Sequence, residues 1–206
     1  MAAQDFTRQD VVLEKRETLF KGFYRIDKLH LRHRQFAGGM GPVLTREMFV
    51  RPPAVGLLIY DADIDSVLLI EQFRVGALEN EHPWQMEIVA GLVEPGETLE
   101  RVARREAQEE AGVAVDLMEK VMEFLPSPGG SDEHFTLFVA PADLSMAGGI
   151  HGLPDEGEDI RVNVMSLNQA LAALQCGRIN NAPAIIALQW LALNKARLQT
   201  RWKRAR

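Results

Sequence analysis

The apolar residues change rhythm along the chain. Between residues 11 and 52, the runs VVLEKRETLF, FYRIDKLHLRHR and LTREMFVR alternate apolar with polar positions or carry β-branched side chains, which predicts strands. Arg51-Pro52-Pro53 then removes backbone donors and marks a boundary. Beyond it, AVGLLIY and SVLLIEQFRV flank Asp61-Ala62-Asp63-Ile64-Asp65, predicting a hairpin with a solvated acidic turn. WQMEIVAG reads as one further strand, MEKVMEFLP and EHFTLFVAP as two more around SPGGSD, and DIRVNVMS as another. The helical period governs residues 98–111, 167–175 and 182–204, the last opened by Asn181-Ala182-Pro183 as a cap with proline in the first turn. A mixed sheet sandwiched by helices follows, an α/β chain with a small antiparallel β-sheet region at its N-terminus. Three strands are too few to bury a core alone, so that region is expected to pack on the rest of its own chain or on a second subunit.

The helix at 98–111 carries the chemistry. Thr98 suits an N-cap and Gly112 the position just past the C-terminus, while Pro95-Gly96 makes the preceding turn. At about 100° per residue, Leu99, Val102 and Ala103 share one face, and Glu106 and Glu110 continue it. Arg101, Arg104 and Gln108 lie opposite. Two acids facing inward repel by about 0.2–0.5 kcal/mol even when exposed, and burial adds several kcal/mol per unpaired ion. A divalent cation removes both costs. A site of carboxylates, carbonyls and water, with neither Cys nor His, suits Mg²⁺ or Mn²⁺. Arg105 reaches Glu109 at i,i+4 and Glu97 approaches Arg105 across the loop, so the two pairs are placed to hold helix and loop in position.

Composition narrows the surroundings. The 206 residues are 47% apolar and 25% charged, ordinary for a soluble globular chain. A net charge of −6 argues against non-specific nucleic-acid binding. The basic run ARLQTRWKRAR reads as a solvated helix end. Cys176, the single cysteine, excludes an intramolecular disulfide and reads as a small buried side chain. The start MAAQDFTRQD lacks the apolar stretch of a signal peptide, and no 18-residue apolar run exists to cross a membrane, so a cytoplasmic protein is expected. The five histidines are scattered without zinc spacing.

Gly91, Glu97, Arg105, Glu106, Ala107, Glu109, Glu110, Gly112 and Val113 occupy every fixed position of G-x5-E-x7-R-E-A-x-E-E-x-G-V. This run resembles the box of the Nudix hydrolases, which cleave nucleoside diphosphates linked to a further group. The resemblance implies the Nudix α/β/α sandwich, with residues 1–52 as a dimerisation region and 53–206 as the hydrolase domain. Pro128, sixteen residues after Gly112, resembles the mark of the subfamily that hydrolyses ADP-ribose, whose members dimerise through an N-terminal sheet. In that subfamily an acidic loop before a strand supplies a general base and a metal ligand. Carried over to HGLPDEGEDIRV, Glu156 is the base and Glu158 the ligand, beside Glu106, Glu110, the Ala90 carbonyl and, as a further candidate, Glu109. Resemblance to substrate-contacting segments places Phe23 on adenine, Arg46, Arg51 and Arg74 at phosphates or the site edge, and Glu47 and Glu133 at ribose hydroxyls, with Tyr24, Ser127 and Gly129 as further substrate-binding residues. The expected substrate is thus a small nucleotide sugar, with no nucleic-acid or membrane partner. Another nucleoside-diphosphate sugar such as GDP-mannose, and a non-catalytic ADP-ribose sensor, stand as alternatives.

Overall fold

A computed structural model describes residues 5–203, the side chain of Glu156 excepted. Its strands are β1 (Val11–Lys21), β2 (Arg25–His33), β3 (Leu44–Val50), β4 (Ala54–Asp61), β5 (Ser66–Phe73), β6 (Trp84–Glu87), β7 (Val89–Leu92), β8 (Glu119–Phe124), β9 (Phe135–Pro141), β10 (Gly149–His151) and β11 (Ile160–Ser166). The helices are α1 (Leu99–Ala111), α2 (Leu167–Gln175) and α3 (Ala182–Trp202). Two compact units result: residues 5–52 with Ser127–Glu133, and Pro53–Pro126 with His134 onward.

The second unit is built on one sheet in the order β10-β11-β5-β4-β9-β8, with β6 paired to β5 and β7 to β4. β4 runs parallel to β9 and antiparallel to β5 and β7, and its eight residues are all buried. Side chains that alternate along β4 therefore serve two cores. Val55, Leu57 and Ile59 face Val102, Ala103, Ala107 and Ala111 of α1. Leu58 and Tyr60 face Ala184, Ala187, Leu188 and Leu191 of α3. One helix covers one face and two cover the other, the α/β/α sandwich. Leu188→Ala is expected to cost about 2–5 kcal/mol, read as a lowered urea midpoint, because its side chain is fully enclosed.

Local readings are corrected in four places. WQMEIVAG is two strands: the chain changes partner at Ile88, from β5 to β4. The acidic turn is a structural knot. Asp61 is buried and accepts from the N–H groups of Asp63 and Leu144, while Asp65, at φ 52°, accepts from the Tyr60 hydroxyl and pairs with Lys195. Cys176 is exposed, at the C-terminal end of α2. The basic stretch of α3 is only partly solvated, since Arg197 and Arg201 both pair with Glu119 on β8.

The first unit is a meander, β1-β2-β3. Its one fully buried strand residue is Asp27, held by Arg16 at 2.6 Å, Thr18 at 2.9 Å and Arg25 at 3.2 Å. No apolar side chain of this unit is fully buried among the described residues, and Phe20 is 60% exposed. Residues 127–133 are stitched to β3: Phe49 N–H donates to the Gly130 carbonyl and Arg51 N–H to Asp132 at 2.9 Å.

Candidate active site

α1 forms where its caps predict. The Thr98 hydroxyl accepts from Arg101 N–H, and Gly112, at φ 65°, donates back to the carbonyls of Ala107 and Gln108. That geometry fixes which residues face β7. Glu106 lies against Gly91 so closely that a Cβ there would stand 1.9 Å from the Glu106 carboxylate, so only glycine admits the acid. Glu110, one turn on, is 3% exposed and accepts from Ala90 N–H at 3.0 Å. Arg105 donates to Glu109 at 2.9 Å, lies 3.0 Å from Glu106 and 3.8 Å from Glu97, while Glu97 accepts from Glu94 N–H in its own turn. Glu158 accepts from Leu153 N–H at 3.0 Å.

The electrostatics mark these acids as costly. Burial pushes Glu106 up to about 7, against the pull of the Arg105 guanidinium. Burial likewise pushes Glu110 up to about 8, opposed by the Ala90 N–H and reinforced by Glu106. The charge of Glu158 raises both. The positive charge of Arg74 favours ionised Glu110, and Arg74 itself donates to Glu87 at 2.8 Å. Glu87, on β6, is also raised by burial. Among the described residues no three His, Cys, Asp or Glu side chains converge as they stand into a cation cage. Arg105 instead pairs with Glu106 and Glu109, and the Ala90 amide binds Glu110. An all-oxygen donor set in which burial opposes the charge of Glu106 and Glu110 nevertheless fits a hard divalent cation, which would favour that charge.

A raised folded-state pKa means that native Glu106 and Glu110 hold protons the unfolded chain has shed between about pH 4.5 and 8, so stability falls as pH rises through that window. Metal-free protein should lose melting temperature between about pH 5 and pH 8.5, and Glu110→Gln should flatten the loss. A wild-type profile that is flat in the presence of chelator, measured by differential scanning fluorimetry, would contradict this.

The remaining predicted residues divide between the units. Arg74 belongs to the second. In the first, Tyr24 packs edge-on to Phe23 at 4.7 Å and to Phe49 at 4.8 Å, and Arg51 lies 5.3 Å over the Tyr24 ring. Phe23 is 85% exposed, a free aromatic face. Arg51 donates to Glu133 at 3.2 Å, and burial raises Glu133 despite that partner. Arg46 and Glu47 are exposed on β3, with Arg46 donating to the Thr45 carbonyl. Ser127 accepts, through its carbonyl, from Gly130 and Ser131 N–H, which makes the turn that carries Gly129. Glu156 ends a 3-10 turn, Pro154–Glu156, and its side chain lies outside the described residues. Glu87, the partner of the predicted Arg74, is what sequence reasoning missed: thirteen residues separate the two, and the pairing of β5 with β6 brings them together.

A family model described as the NUDIX domain matches residues 50–188. The chain is 48% identical over 198 residues to the ADP-ribose pyrophosphatase of Escherichia coli, covering 96% of this chain and 95% of that one. It is 42% identical over 206 residues to the ADP-ribose pyrophosphatase of Haemophilus influenzae, covering 98% and 95%. The GDP-mannose pyrophosphatase of Cronobacter sakazakii is 38% identical over 154 residues, 72% of this chain and 78% of that one. Among solved structures, an "ADP compounds hydrolase" superposes with a TM-score of 0.70 at 19% identity, over 95% of this chain and all of the other, a likeness of fold.

Proposed function

The chain belongs to the NUDIX domain family, and from that premise we propose that it is a divalent-cation-dependent pyrophosphatase that hydrolyses ADP-ribose to AMP and ribose 5-phosphate. The observation that carries the chemistry is the pair of inward acids, Glu106 against Gly91 and Glu110 on the Ala90 amide, both raised by burial. Full-length likeness to ADP-ribose pyrophosphatases supports the substrate, over GDP-mannose, whose enzymes match a shorter part of the chain.

Glu106, Glu110, Glu158 and the Ala90 carbonyl would hold the cation, Mg²⁺ or Mn²⁺, with Glu109 as a further ligand. When bound, it neutralises diphosphate charge and acidifies water. Arg105, pinned by Glu97 and Glu109, keeps the ligand helix in register. Arg74, held by Glu87, presents a guanidinium fork of the kind that matches phosphate oxygens. Glu156 takes a proton from the attacking water as the new P–O bond forms and the bridging P–O bond breaks in line. By the same resemblance, Phe23 would stack on adenine, Arg46 and Arg51 would meet phosphates and Glu47 and Glu133 the ribose hydroxyls, with Tyr24, Ser127 and Gly129 as further substrate contacts. We place the enzyme in the cytoplasm.

The first unit also argues for a homodimer. Three strands with one fully buried side chain, an aspartate, and apolar residues left exposed do not stabilise themselves. Deleting residues 1–50 should abolish dimerisation and substrate affinity together. Static light scattering of the full chain at micromolar concentration checks this, and a monomer would refute it.

A further inference from the structure

The loop that carries Glu156 and Glu158 has little stiffness of its own. Gly148, Gly149, Gly152 and Gly157 all have positive φ, at 152°, 94°, 100° and 72°. Its order comes from attachments to other elements. β10 pairs with β11, His151 opposite Ile160. Gly152 N–H donates to the carbonyl of Glu109, in the last turn of α1, at 3.2 Å. Leu153 and Glu158 close a small ring: Leu153 N–H donates to the Glu158 carboxylate at 3.0 Å, and Glu158 N–H to the Leu153 carbonyl at 3.2 Å.

His151 adds an attachment of a different kind. Its Nε2 lies 2.8 Å from the Gly148 carbonyl, and a carbonyl only accepts, so Nε2 carries the proton and donates. The ring sits over Gly112, the residue that ends α1. A Cβ built on Gly112 would stand 2.7 Å from His151 Cε1 and 3.3 Å from Nδ1. Gly112 thus has two reasons to be glycine: the left-handed conformation at φ 65°, and the seat it leaves for the imidazole. The first belongs to any helix end. The second joins the end of the helix bearing Glu106 and Glu110 to the loop bearing Glu156 and Glu158.

We propose that His151 is a positioning residue, a latch whose ring, seated on Gly112 and bonded to Gly148, holds the acidic loop in register with the carboxylates of α1. The proposal rests on the roles given above to Glu156 and Glu158. It separates from plain space-filling because a filler would change stability alone, whereas a latch changes where two acids stand. A displacement of about 1 Å costs up to 10²-fold in rate while leaving the substrate's other contacts in place.

The test uses the full chain. His151→Ala should lower kcat for ADP-ribose by about 10- to 100-fold with a much smaller change in KM, and raise the Mg²⁺ concentration for half-maximal rate. In metal-free protein, hydrogen exchange at residues 152–158 should quicken while β4 and β5 keep their protection. His151→Gln, which can still donate to the Gly148 carbonyl, should recover part of the rate. Gly112→Ala should drive the ring off its seat and give the same signature, so the latch stays testable if His151→Ala fails to fold. In the double variant, Gly112→Ala should cost less than it does alone, because the methyl then meets no ring. Wild-type kcat and unchanged loop exchange in His151→Ala, or strictly additive effects in the cycle, would overturn the latch. Should the wild-type protein fail to turn over ADP-ribose, the functional reading falls instead, and the exchange experiment still decides the latch: quickened exchange supports it and unchanged exchange overturns it.

Discussion

Glu110→Gln should lower turnover by at least about 10³-fold, equivalent to roughly 4 kcal/mol of transition-state stabilisation. Its fold should not suffer. Glu110 is nearly inaccessible and accepts one hydrogen bond, from the Ala90 amide, which a glutamine oxygen accepts equally. With its pKa raised to about 8, metal-free Glu110 must hold at neutral pH a proton that the unfolded chain sheds, a cost that the neutral amide avoids. Metal-free Glu110→Gln should therefore melt no lower than metal-free wild type at neutral pH, and should gain less on addition of Mg²⁺. Steady-state rates and paired melting curves with and without chelator check both halves. A variant that turns over normally, or that gains as much from Mg²⁺ as wild type, would remove Glu110 from the ligand set.

Glu156→Gln should lower kcat by about 10²–10⁴-fold while leaving metal and ADP-ribose binding nearly intact, since only proton transfer is lost. Glu158→Gln should instead raise the Mg²⁺ requirement, and excess Mg²⁺ should partly restore its rate. In a regular strand these two acids would share a face, and different roles would be hard to assign. The backbone here is not a regular strand: a 3-10 turn ends at Glu156, and Gly157 has φ 72°. Calorimetric binding of a non-hydrolysable ADP-ribose analogue, alongside kcat measured against Mg²⁺, separates the two. Wild-type turnover in Glu156→Gln would pass the role of base to Glu109, Glu133 or water acting without a protein base.

Features encoded over short distances were legible. The helical stripe at 99–111 with Thr98 and Gly112 at its ends, the apolar runs of β4 and β5, and the spacing that aims Glu106 and Glu110 inward all follow from local periodicity and capping. Features that depend on strand partners were not. Nothing in WQMEIVAG announces that Ile88 ends one pairing and begins another, because both halves show the same apolar rhythm. The turn at 127–133 belongs with β3, some eighty residues earlier, through backbone bonds that carry no side-chain signature. Asp61 looked like a solvated turn acid because acidic runs usually are; its burial comes from Leu144, far along the chain. Glu71 lies in the run SVLLIEQFRV, which was legible as an apolar strand. The fold buries it between Arg161 and Arg178, a salt-bridged clamp joining β5, β11 and the segment after α2. The glycine loop at 148–157 was read as an acidic run, and its attachment at Gly112 became visible only once α1 and β10 were packed together.

The carboxylates of α1 and the acidic loop are proposed to serve the hydrolysis of ADP-ribose. The most direct measurement is kcat/KM for ADP-ribose and GDP-mannose with purified full-length protein, in Mg²⁺ and again in chelator, with AMP and ribose 5-phosphate identified as products. Turnover of ADP-ribose is expected well above that of GDP-mannose, abolished by chelator and restored by Mg²⁺ or Mn²⁺. Preference for GDP-mannose, binding of ADP-ribose without turnover, or full activity in metal-free buffer would contradict it.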